Sequence, residues 1–83
     1  MKVRYTGYDG KYVIYPIGEI TLRAARKVNS IIKGLLKAGG YCYTLDLKEV
    51  TRVDPDGLRA LHSIDSLFEL RGKSFQIRNA AAV

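Results

Sequence analysis

Two periodicities divide this chain. Residues 3 to 8 and 12 to 17 are rich in β-branched and aromatic side chains, and Asp9-Gly10 separates them. That dipeptide tolerates positive φ at both centres of a type I′ turn, so the two runs predict a β-hairpin. Pro16 falls near the end of its second strand, and Gly18-Glu19-Ile20 closes it. From Leu22 to about Ala38 the period becomes helical. Leu22, Ala25, Val28, Ile31, Ile32, Leu35 and Leu36 share one arc, while Arg23, Arg26, Lys27, Lys33 and Lys37 occupy the other. Thr21 is an N-cap residue type, and Gly39-Gly40 ends the helix.

Tyr41 to Leu47 predicts a strand with Tyr41, Tyr43, Leu45 and Leu47 on one face and Cys42, Thr44 and Asp46 on the other. The stretch Leu45 to Leu58 reads as the end of that strand, a short tight loop, and a helix start. Asp54 suits the N-cap, because its carboxylate can take an orphan amide of the first turn. Pro55 fits the first helical position, where a missing N–H costs nothing. Asp56 adds a carboxylate where the helix dipole favours negative charge. Gly57 lets another backbone, or a partner, come close. One helix is expected from Pro55 to about Arg71, ended by Gly72. Its inner face is Gly57, Ala60, Leu61, Ile64 and Phe68, flanked by Leu58 and Leu67. Arg59, His62, Ser63, Ser66, Glu69 and Leu70 face out. Lys73 to Arg78 forms the last strand, with Phe75 and Ile77 on its buried side. The expected fold is α/β: a small mixed sheet of about four strands, an N-terminal β-hairpin followed by parallel βαβαβ, with two main helices on one face.

Eighty-three residues make one domain with a small core. No run of 18 or more apolar residues exists, which predicts no membrane insertion, and the N-terminus lacks the apolar segment of a signal peptide. A single cysteine, Cys42, excludes a disulfide framework and points to a reducing, cytoplasmic compartment. The formal net charge of +6 suits an anionic partner, although a basic helix stripe is most often just a solvated face. Asp46 should lie near Asp54, but no third ligand or histidine accompanies them, so neither a metal site nor an acid–base pair is expected. His62 reads as a surface residue. No nucleophile–base pair can be assembled, so no catalytic residue, metal or cofactor is assigned and an enzyme is disfavoured. Tyr5, Tyr8, Tyr12 and Tyr15 fit strands well; no basic residues alternate with them along the chain as a single-strand nucleic-acid binder requires.

The residues Leu45-Asp46-Leu47-Lys48-Glu49-Val50-Thr51-Arg52-Val53-Asp54-Pro55-Asp56-Gly57-Leu58 resemble the core motif of the STAS domain, the family of sulfate transporters and anti-sigma-factor antagonists. Gly18-Glu19-Ile20 resembles the family's G-E-L/I-D, and Arg71 to Ile77 its x-G-x-x-L-x-L strand. The resemblance runs from about Tyr12 to Asn79. In bacterial antagonists the loop usually reads D-S-S-G or D-T-S-G, and its second hydroxyl residue is phosphorylated. Asp56 stands at that position here, preceded by Pro55.

The resemblance implies a bacterial, cytoplasmic, non-enzymatic module for transcription regulation, whose partner is an anti-sigma-factor kinase. It implies a binding surface made of Asp54, Pro55, Asp56, Gly57 and Leu58 together with Glu19, Thr21, Arg23, Arg26 and Lys27. Val50 to Asp54 and Leu61 to Asp65 are also similar to the small STAS subunit of bacterial phospholipid ABC transporters, which makes an ABC ATPase the alternative partner. Nucleic acid ranks below both, since net charge and one basic helix alone favour it. Family members normally continue into a further helix. Here Asn79-Ala80-Ala81-Ala82-Val83 suggests a minimal member, a truncated chain or a cloning remnant. A missing helix would leave apolar sheet surface and a free strand edge, which a second copy of the chain could cover as a homodimer.

Overall fold

In the structure, a computed structural model describing residues 2–80, the chain opens with the expected hairpin. Strands β1 (Lys2–Tyr8) and β2 (Lys11–Ile20) pair antiparallel from Lys2↔Ile17 to Tyr8↔Lys11. Asp9 and Gly10 both take positive φ, 55° and 77°, as a type I′ turn demands. Helix α1 (Leu22–Lys37) follows, with the Thr21 hydroxyl accepting from the Ala24 amide at 3.1 Å. Then come β3 (Cys42–Asp46), β4 (Val50–Val53), α2 (Pro55–His62), α3 (Asp65–Leu70) and β5 (Ser74–Arg78). The order β1-β2-β3-β5 runs across the sheet, with β2, β3 and β5 parallel.

This is the mixed α/β fold expected, with two refinements. First, Val50–Val53 is a strand rather than a loop. β2 runs on to Ile20, so its first half pairs with β3 and its second half with β4. Pro16 therefore sits inside β2. It is tolerated there because Gly18 donates to Glu49 O at 3.2 Å, and alternation aims the Pro16 nitrogen to that same side, opposite the break between β3 and β4.

Second, the predicted long helix is broken at Ser63-Ile64. The carbonyl of Ala60 would have accepted the Ile64 amide. Instead it takes the Asn29 amide group at 2.7 Å and the Ser63 hydroxyl at 2.7 Å. Side-chain donors that reach a nearby carbonyl compete with the helical ladder in this way. The inward periodicity survives the break, with Leu61, Ile64 and Phe68 all buried.

One core serves both helical segments. Ile14 and Ile20 of β2 meet Ala25, Val28, Ile32 and Leu36 of α1, Tyr43 and Leu45 of β3, and Leu61, Ile64 and Phe68. A row of rings crosses it. Tyr12 stacks on Tyr43 at 5.5 Å, Tyr43 tilts against Phe68 at 4.9 Å, and Phe68 stacks on Phe75 at 4.9 Å. Tyr41 departs from the predicted inward face and is 51% exposed. Its amide is held by Gly10 O at 2.8 Å and its ring lies over Gly10, so it folds onto the hairpin turn before β3 begins. The chain end beyond Ala80, where a further helix or a cloning remnant was considered, lies outside the described residues.

Candidate functional site

Val53 to Leu58 forms the local structure its residues dictate. Asp54 caps α2, its carboxylate accepting the Asp56 amide at 3.0 Å, and Pro55 takes the first turn. The Asp54 amide donates to Ile20 O at 2.8 Å, which ties this helix start to the end of β2. Gly57 is buried against the same connection: a Cβ there would meet Ile20 O and Thr21 O at 2.9 Å. Only glycine allows that approach, so Gly57 holds the two helix starts together and is not itself presented.

The result sets the starts of α1 and α2 side by side. A groove of about 700 Å³ is lined by Ile17, Gly18, Glu19, Thr21, Arg23, Ala24 and Lys27, and the start of α2 abuts it through Thr21. Asp54, Pro55 and Asp56 are exposed beside it. Of the residues expected to bind a partner, Glu19, Thr21, Arg23 and Lys27 share the groove. Arg26 is exposed elsewhere on α1, and Leu58 is half-buried. The basic residues of α1, Arg23, Arg26, Lys27, Lys33 and Lys37, are all exposed, and no acid stands in its first turn.

Two arginines join the site unforeseen. Arg59 donates to the Asp56 carboxylate at 2.8 Å, an exposed pair worth about 0.2–0.5 kcal/mol. The i, i+3 spacing was visible in the sequence. Arg52 lies 4.0 Å from Glu19, a contact that exists only because β4 pairs with β2.

Asp46, considered as a partner carboxylate for Asp54, is satisfied elsewhere. Its oxygen accepts from Asn79 at 2.7 Å and from the Lys48 amide at 3.0 Å. Burial pushes its pKa up, but the Asn79 bond, the Lys48 bond and the Lys48 and Arg78 charges outweigh it, leaving the carboxyl below its ordinary value. A depressed folded pKa stabilises the native state above the unfolded value of about 4, and the effect is lost as pH falls through the folded value. We expect Asp46→Asn to lower stability at pH 7 and to flatten the fall in urea midpoint between about pH 4 and pH 2. An unchanged acid profile would show that Asp46 is not the group responsible. Among the described residues no group of three or more His, Cys, Asp or Glu could hold a metal ion, and no helix is long and apolar enough to cross a membrane.

Known proteins place the fold. No family model matches the chain, and no curated protein does. Among solved structures, Mglu is similar to 96% of this chain with a TM-score of 0.84 at 18% identity. Mglu in its native form is similar to 92% with a TM-score of 0.76 at 16% identity. The chain spans 20% and 22% of the length of those Mglu chains. At such identity the likeness defines a class of architecture, a small α/β module with a mixed sheet, and nothing of activity.

Proposed function

We propose that this chain is a non-enzymatic, cytoplasmic protein-binding module of the STAS type, resembling an anti-sigma-factor antagonist with Asp56 in place of the phosphorylated residue. The observation that carries the reading is the seating of the Asp54–Gly57 turn on the Ile20-Thr21 backbone. It brings the helix start that carries Asp56 next to the basic start of α1, which supports a single partner covering both.

In an antagonist with serine or threonine at this position, phosphorylation adds a charge of about −1.5 to −2 and expels the partner by repulsion. Asp56 carries a single charge, and Arg59 already engages one of its oxygens. It is therefore a weak imitation of the phosphorylated state. This favours constitutive binding over permanent exclusion from the partner.

The test is capture from the source cells with the tagged chain. Recovery of an anti-sigma-factor kinase supports the reading, and recovery of a transporter ATPase shifts it to the accessory-subunit alternative. Bound nucleic acid that persists near physiological salt and releases with a steep salt slope would overturn both. With the kinase in hand, Asp56→Ser plus ATP is expected to restore phosphate incorporation and release. No incorporation counts against the lost switch.

A further inference from the structure

The helices cover one face of the sheet, and we infer that the opposite face is a second docking surface, for an acidic amphipathic helix. Ile14, Tyr43 and Leu45 are fully buried toward the helices, so their strand neighbours point away from them. Along central strand β2 these are Val13, Tyr15 and Ile17, all only half-buried. Parallel strands such as β2, β3 and β5 are normally covered on both faces; here the second layer is absent over the β2 strip among the described residues, while Thr44 and Asp46 of β3 beside it are buried. The strip is about 13 Å long, the rise of two to three helical turns.

Charge chooses the occupant. Lys11 stands at one end of the strip and Lys2 at the other. The register sets Arg4 beside Tyr15 on β1, and Arg78 beside Asp46 toward the β5 edge. The Lys48 amine lies 5.0 Å from the Tyr15 ring centroid. Two carboxylates stand nearby, Asp46 bonded to Asn79 and Glu49 paired with Arg4 at 3.2 Å, and against them Lys2, Lys11, Lys48 and Arg78 leave the rim net positive. A groove of about 470 Å³ opens next to Tyr15, walled by Arg4, Thr6, Lys48 and Glu49. An apolar strip rimmed by cations fits a helix with an apolar stripe and flanking acids. A nucleic-acid strand fits less well, because of Val13, Tyr15 and Ile17 only Tyr15 offers a ring for a base to stack on.

The probe is a synthetic peptide of about 18 residues, five helical turns, with a leucine stripe and glutamates on both flanks. Controls are the same composition shuffled and an oligothymidylate of similar charge. With the unaltered ¹⁵N-labelled chain, the peptide is expected to shift amides of Val13 to Tyr15 and Cys42 to Asp46. Lys11→Glu with Arg78→Glu is expected to weaken binding about tenfold, with loss of its salt dependence. No binding, equal binding of the shuffled peptide, tighter binding of the oligonucleotide, or shifts confined to α1 would each overturn the inference. The shift map uses the unaltered chain, so it decides the matter even if the double variant does not fold. Shifts on α1 bear instead on the surface of the proposed function.

Discussion

Phe68→Ala is expected to cost the domain a large share of its stability. Phe68 is 1% exposed and touches two rings at once, Tyr43 and Phe75, each at 4.9 Å between centroids. Truncating such a side chain costs about 3–5 kcal/mol, through lost transfer free energy and the cavity left behind. At the usual per-residue stability, a chain of this length has only about 4–12 kcal/mol to lose. The position has a second role. α3 has no side-chain cap at its N-terminus, and the Phe68 carbonyl receives both the Arg71 and the Lys73 amides. The ring is therefore the main anchor of this short segment and of the turn into β5. Far-UV circular dichroism across a urea series checks this. A midpoint within error of the parent would show that the aromatic row is dispensable. Leu70→Ala, at a site 86% exposed, should change almost nothing.

The contrast between Phe68 and Leu70 was legible from helical periodicity alone. Inward positions in the two helical regions repeat every three or four residues, and the structure keeps them even where the second helix breaks, except that Leu22 of the predicted inward arc is exposed and Ala24 is buried instead. The break itself was not legible. It depends on Asn29 reaching across from α1 to the Ala60 carbonyl, a contact 31 residues distant in the chain. Likewise Val50-Thr51-Arg52-Val53 has strand-forming residues, but its pairing partner is the far end of β2, beyond a proline and a glycine that suggested an ending. Local chemistry at the candidate site could be read directly. The Asp54 cap and the Thr21 cap each reach an amide no more than three positions on, and Pro55 sits in the first turn beside its cap. The juxtaposition of those two helix starts, and the pairing of Glu19 with Arg52, arise from tertiary contacts that no short window contains.

Gly57→Val is expected to damage stability and the proposed partner surface together. The first carbon of any side chain would stand 2.9 Å from two backbone oxygens, Ile20 O and Thr21 O. Neither belongs to a flexible side chain, so α2 must move away from the β2–α1 connection. Overpacking of this kind costs about 1–3 kcal/mol, and a β-branched residue belongs at the upper end. Alanine's better helix propensity would return less than about 1 kcal/mol, so Gly57→Ala should be milder and still unfavourable. The displacement would stretch the 2.8 Å bond from the Asp54 amide to Ile20 O, and amide shifts should change at Thr21 to Ala24 as well as at Asp54 to Leu58. Asp56→Ala separates the two effects. It removes only an exposed charge and a surface pair, so its urea midpoint should stay close to the parent's. If Gly57→Ala, measured where it is fully folded, binds a captured partner as well as the parent does, the close seating of the two helix starts is a packing feature and the recognition surface lies elsewhere.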